Sequence, residues 1–243
     1  MTQKKRIAEH YDKESLVYDK IRYKEDTQYV RIDEEVCHIL LKYLTGNSVL
    51  ELGAGTGRYG IFLNEHGYSW KGIDISKGMI KVAKEKAKKV GINLEMICGD
   101  VEDSVLYEQA RYDNVICVRA FNFFPTPLKV IENVYKTLKE GGRFILFYYN
   151  KDNFFGKISS VILSRPYFDK DDNFLTLYTF NDMWRILSKF DFKIIYKRDI
   201  TNFPHFIYAH FPRFVNLRIV KKIDNLLKGG WVTVVVAEKQ NKR

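Results

Sequence analysis

A chain of 243 residues with 46% hydrophobic and 15% aromatic side chains can fill a full core, which excludes a disordered or fibrous polypeptide. No run approaches the roughly 18 apolar residues of a membrane span, and the basic start MTQKKRIAEHYDKE lacks the apolar stretch of a secretory signal. The net charge of +10 is uneven: zero over residues 1–48, +2 over 49–149 and +8 over 150–243, so an acidic partner and a merely solvated lysine surface both stay open.

The first 45 residues read as helices. Ile32, Val36, Ile39, Leu40 and Tyr43 recur at helical spacing, and Gly46 stops that helix. Strands and helices then alternate. Strands are expected at 48–52, 70–74, 93–98, 113–118 and 143–149. The first crossover helix covers about 57–66. Ser76 caps the second, whose apolar face is Met79, Ile80, Ala83, Ala87 and Val90, with Gly91 as its stop. Pro127 opens another helix, bearing Leu128, Ile131, Val134, Tyr135 and Leu138 and ending before Gly141-Gly142. A helix at about 180–190 and strands at 192–199 and 232–239 complete the pattern. Five strands with crossover helices mean a parallel, doubly wound α/β sheet. Residues 150–178 and 200–229 have no clean period and read as long functional insertions. Cys37, Cys98 and Cys117 form no CxxC. Cys98 and Cys117 fall in strand-like runs and are expected to be buried free thiols. The cytoplasm is the default compartment.

The segment VLELGAGTG, residues 49–57, runs from an apolar strand into Gly53, Gly55 and Gly57. A strand, a glycine turn and a helix in that order hold nucleotide-like cofactors. A dinucleotide fingerprint would place its third glycine at 58, where this chain has Arg58, so the turn suits a cofactor without a pyrophosphate. Asp74 ends the second strand 21 residues after Gly53, the place for a carboxylate that accepts from ribose hydroxyls. A helix cap is the other role open to it, although Ser76 already suits that one.

With these motifs the chain resembles the class I, Rossmann-like S-adenosylmethionine (SAM) methyltransferases, from about Tyr11 to Lys239 and most strongly from Val49 to Leu146. The segment YDKESLVYD, residues 11–19, is similar to the start of the quinone, sugar and small-molecule branch. The resemblance implies a seven-stranded sheet with an antiparallel last strand. It implies one domain: a helical lid (1–46), a SAM-binding core (47–149), cap insertions (150–178 and 200–229), and a last strand with tail (230–243). It places SAM against Tyr11, Tyr18, Glu51, Gly53, Ala54, Gly55, Gly57, Asp74, Ile75, Met79, Gly99, Asp100, Val101, Val118 and Arg119. Asp100 would accept from the adenine amino group, Ile75 and Met79 would flank the base, and Glu51 would meet the SAM ammonium. Tyr11 and Tyr18, two helical turns apart, would share a face and close over the methionyl end. The product is S-adenosylhomocysteine, and no metal is implied.

The methyl acceptor belongs beyond the fourth strand, at VRAFNFFP, residues 118–125. No (N/D/S)PP(Y/F) motif stands there, which counts against methylation of nucleic-acid amino groups. Arg119 is a candidate for holding an anionic acceptor, or is an ordinary ion-pair arginine. Phe121, Phe123 and Phe124 form an apolar wall or pack the next helix. Tyr11, Tyr18, Arg119, His205 and His210 are the candidates for a catalytic role, with His10 a further candidate base. No spacing for a metal ligand set appears. Residues 213–228 form an amphipathic basic helix suited to an anionic membrane surface, or a cap helix packed on the sheet. The leading expectation is methyl transfer to a small-molecule or lipid-like acceptor. RNA methylation through the basic last third, and a non-catalytic SAM-binding subunit, are the alternatives. The sequence leaves the oligomeric state open.

Overall fold

The computed structural model describes residues 2–23, 28–152, 175–200 and 230–240. Seven strands form one sheet: β1 (Ser48–Leu52), β2 (Ser69–Asp74), β3 (Glu95–Cys98), β4 (Tyr112–Val118), β5 (Leu138–Tyr149), β6 (Phe192–Ile200) and β7 (Val232–Lys239). Their order is β3-β2-β1-β4-β5-β7-β6. The pairs from β3 through β5 are parallel, whereas β7 runs antiparallel to both β5 and β6. The expected doubly wound sheet with an antiparallel last strand is therefore present.

Strand alternation builds two cores. In β4, Val115 and Cys117 face one side and Ile116 and Val118 the other. The first side packs against α6 (Pro127–Thr137) through Val130, Ile131 and Val134, and against α7 (Phe180–Ser188) through Met183 and Leu187. The second packs against α3 (Gln28–Tyr43) through Ile32, Val36, Ile39 and Leu40, α4 (Arg58–Glu65) through Tyr59 and Leu63, and α5 (Lys77–Lys89) through Ala83 and Ala87. Local signals set the helix starts. Ser76 Oγ accepts from the Met79 amide, and Pro127 occupies the first turn of α6.

Several details differ from expectation. α6 ends at Thr137, and Leu138, expected on that helix, opens β5 five residues before the expected strand start because it pairs with Tyr112 of β4. Cys98 is exposed, because β3 is the edge strand and only β2 covers it; Cys117, in the central β4, is fully buried. Val90 and Leu128, at helix ends, face outward instead of joining the apolar faces. The YDKESLVYD segment is two helices, α1 (Gln3–Glu14) and α2 (Tyr18–Arg22), not one. Ser15 Oγ donates to the Asp12 carbonyl at the break, a side-chain bond that competes with the helical ladder.

Candidate active site

The sheet reverses its winding between β1 and β4, and in such sheets ligands bind beyond the carboxyl ends of the strands at that point. The glycine turn leaves β1 there. Gly53, Gly55 and Gly57 have φ of +68°, +53° and +68°. A Cβ on Gly53 would lie 2.4 Å from Ala120 Cβ, and one on Gly57 2.9 Å from Ala83 Cβ, so these two glycines let the turn press onto the β4 end and α5. Above Gly55 there is open space, with no heavy atom within 4 Å of a Cβ built there. Asp74 braces the turn from the end of β2: its carboxylate accepts from the Gly55 amide at 2.7 Å and the Ser76 amide at 2.8 Å. Burial pushes its pKa up, and those two amides oppose the rise. A carboxylate has about four acceptor positions, so each Asp74 oxygen keeps capacity for a ligand hydroxyl.

Glu51 lies within β1, 2% exposed, on the face of Val49. Its Oε2 accepts from Trp70 Nε1 at 2.9 Å. The indole fits a slot made by two glycines: a Cβ on Gly60 or Gly72 would come within 2.8 Å of the ring. Burial drives the Glu51 pKa well above its ordinary value, opposed by the Trp70 bond.

The N-terminal helices lie across this end of the sheet and are tied to the turns that follow β1, β2 and β3. Asp19 accepts from Thr56 Oγ1 at 2.8 Å in the glycine turn and pairs with Lys86 of α5. Asp12 accepts from Ser76 Oγ at 2.6 Å and the Gly78 amide at 2.8 Å, capping α5 from outside. Lys4 pairs with Asp100 and Glu102, each at 2.6 Å, at the turn after β3. Asp33 of α3 takes Arg58 Nε and, at 2.7 Å, the Tyr59 hydroxyl. Ile7 is the one apolar side chain of α1 that is buried, so polar contacts dominate the attachment of this lid. The Tyr11 and Tyr18 rings meet edge-on at 6.2 Å despite the helix break, and Tyr11 also contacts Phe123 at 5.9 Å. Burial pushes both phenol pKa values further above neutral, Tyr18 to about 12, so both can donate hydrogen bonds and neither serves as a base at neutral pH.

Arg119 follows β4 directly. Its backbone has φ +59°, a left-handed conformation unusual for a side chain of this size. The residue is 9% exposed. Nη2 donates to the Tyr23 hydroxyl at 2.7 Å, and the guanidinium lies 5.1 Å from the Tyr29 ring centre. Val118 is buried beside it. Phe121 belongs to the core against Tyr178, whereas Phe123 faces Tyr11. Asn122 is fully buried and stitches chain segments together. It donates to the Tyr149 and Thr176 carbonyls and accepts from the Tyr149 amide. Met79 and Val101 are buried, Ile75, Gly99 and Asp100 partly so. His10 lies on the lid, 3.6 Å from Glu14. His205, His210 and the proposed helix at 213–228 lie outside the described residues.

A family model described as a methyltransferase domain matches residues 44–172, more than half of the chain and the whole of the glycine-turn region. The chain belongs to the methyltransferase domain family. A ubiquinone biosynthesis O-methyltransferase of Coxiella burnetii is 32% identical over 110 residues, covering 45% of this chain and 46% of that protein. The chain thus aligns with about half the length of these curated relatives. An uncharacterised protein of Methanocaldococcus jannaschii is 29% identical over 190 residues, covering 78% and 80% of the two chains. Among solved structures, the cyclase SpnF superposes with a TM-score of 0.73 at 14% identity, covering 100% of this chain and 98% of that one. The geranyl diphosphate C-methyltransferase of Streptomyces coelicolor gives 0.71 at 13% identity, covering 98% of each. At such identities these two establish the shared fold alone.

For a member of this family, the open space over Gly55 and the buried acids Glu51 and Asp74 are the features to compare with a SAM-sized ligand. They fit: the glycine admits close approach, and the two acids supply acceptors for a cationic, hydroxyl-bearing molecule. Sequence reasoning assigned the tyrosines of the YD…YD segment and passed over its aspartates, although Asp12 and Asp19 make the lid's contacts with α5 and the glycine turn. The repeat of Asp after Tyr was the available signal. Lys4, Tyr23 and Tyr29 carried none.

Glu51 gives a prediction with a definite sign. Its folded-state pKa is raised, so the stability it contributes is complete below the unfolded value and is lost as pH rises toward and through the folded one. Glu51→Gln cannot titrate. Without ligand, its melting temperature should gain on the wild type as pH goes from about 5 to about 8. A constant offset across that range would show that Glu51 is not the titrating group.

Proposed function

We propose that this chain is a SAM-dependent methyltransferase acting on a small-molecule or lipid-like acceptor by in-line displacement. One observation carries the proposal: the turn Gly53–Gly57, with open space over Gly55 and Asp74 braced against it, stands at the point where the sheet reverses its winding. Family membership supports it, as do relatives named as a ubiquinone biosynthesis O-methyltransferase and a malonyl-acyl-carrier protein O-methyltransferase. When bound, SAM supplies a methyl group already activated on a sulfonium. The chain's task is then alignment and exclusion of water. The residues we assign to the cofactor are Gly53, Ala54, Gly55 and Gly57 for close backbone approach, Asp74 for the ribose hydroxyls, Asp100 with Gly99 and Val101 for the adenine edge, and Ile75 and Met79 for its faces. Glu51 serves the ammonium end. Tyr11 and Tyr18 cover the methionyl side from the lid, their protonated hydroxyls available as donors.

Among the described residues no helix is long and apolar enough to cross a membrane, and no group of three His, Cys, Asp or Glu side chains is placed to hold a metal ion. Contact with an anionic membrane surface rests on residues 213–228 and is part of the proposal only through their sequence pattern.

Incubation with methyl-labelled SAM and a fractionated cell extract tests the function. Label in the organic-soluble or small polar fraction is the expected result. Label in RNase-sensitive material would replace the proposal with RNA methylation. Binding of SAM without label in any fraction, across extracts, would favour the non-catalytic subunit.

A further inference from the structure

The arginines near the lid and sheet are not alike. Arg58 pairs with Asp33, Arg143 with Glu238, and Arg198 with Glu35. Arg22 stands 3.7 Å from Glu14 and donates to the Tyr29 hydroxyl at 2.9 Å. Arg119 has no carboxylate partner among the described residues, although it is one of the most buried cations in the molecule. Its surroundings are phenols: the Tyr23 hydroxyl accepts one hydrogen bond from Nη2, and the Tyr29 and Tyr23 rings lie 5.1 and 5.9 Å from the guanidinium. Aromatic faces compensate a cation only in part. Among the described residues, Nε is buried with no hydrogen-bond partner. An unmatched buried donor on a buried cation costs free energy, and the left-handed backbone at the same residue adds strain. Three separate costs meet at one side chain, at the strand end beside the cofactor turn: the next residue, Ala120, touches Gly53.

A planar guanidinium with free donors matches two oxygens of one anion. A bound anion would supply both the missing counter-charge and the missing acceptor. We propose that Arg119 is the anion-recognition residue of the acceptor subsite, so that the methyl acceptor is a small molecule bearing a carboxylate or phosphate group, held at the end of β4 beside Tyr23 and Tyr29. This rests on the methyltransferase reading for the word acceptor, but not for the binding of the anion. The phenols would line the rest of the acceptor with flat, amphipathic surface, and the anionic end would fix which atom points at the methyl donor.

The test uses the full chain and three probes of similar shape: benzoate, phenyl phosphate and neutral benzamide. Each is titrated calorimetrically, with and without S-adenosylhomocysteine. At least one anion should bind about tenfold or more tightly than benzamide, with a preference that shrinks as salt is added. Arg119→Gln should abolish the preference, and Arg119→Lys should retain part of it. Equal binding of benzoate, phenyl phosphate and benzamide by the wild type would overturn the proposal without any variant. Full retention of the preference in Arg119→Gln would overturn it too. Failure of the wild type to bind S-adenosylhomocysteine would instead count against the methyltransferase reading, while the anion titration would still decide the role of Arg119.

Discussion

Asp74→Asn is expected to weaken S-adenosylhomocysteine binding by about ten- to a hundredfold, the worth of one or two hydrogen bonds to a charged acceptor. The carboxylate ends β2, buried, with one oxygen on the Gly55 amide and the other on the Ser76 amide. It fixes the shape of the glycine turn, and in the proposed site its remaining lone pairs take the ribose hydroxyls. An amide can keep only one of the two backbone bonds, since its NH2 would face an N–H. The variant should lose about 1–2 kcal/mol of stability as well. Titration at a temperature well below the variant's own melting point separates the two effects. Unchanged affinity in a folded variant would remove Asp74 from the binding site.

Gly53→Ala is expected to destabilise the fold by about 2–5 kcal/mol, the sum of a left-handed backbone penalty of about 1–2 and an overpacking penalty of about 1–3. Gly53 has φ +68°, and its new Cβ would lie 2.4 Å from Ala120 Cβ. Gly67 supplies the reference. It has φ +83° but nothing within 4 Å of a built Cβ, so Gly67→Ala should show the backbone penalty alone. Adding Ala120→Gly to Gly53→Ala should return the packing part, and denaturant unfolding of the four proteins in that cycle measures the coupling. Strict additivity would mean that the close approach of the turn to the β4 end is not what requires glycine at 53.

Residues that act on their near neighbours were legible in the sequence. Strands β1 and β7 begin and end where the apolar runs do, Ser76 caps α5, Pro127 starts α6 and Gly57 precedes α4. The placement of Gly53 and Asp74 on adjacent strand ends was also legible, because a glycine turn followed by a strand-terminal acid leaves few arrangements in a parallel sheet. Cys98 was misjudged for a related reason. An apolar run marks a strand but does not say whether the strand has one neighbour or two, and β3 has one.

The sequence by itself determined the alternating architecture and the position of the glycine turn, since each depends on periodicity and on residues a few positions apart. The tertiary structure alone decided how the N-terminal helices meet the strand ends and what surrounds the end of β4. Lys4 meets Asp100 across 96 positions, Asp12 meets Ser76 across 64, and Arg119 meets Tyr23 across 96. Such pairs depend on how helices with little apolar surface lie across the strand ends. Arg119 shows the difference most plainly. In the sequence it is an arginine after a strand, equally suited to a surface ion pair. Among the described residues the fold gives it no carboxylate partner, and α2 and α3 bring tyrosines to the end of β4 instead.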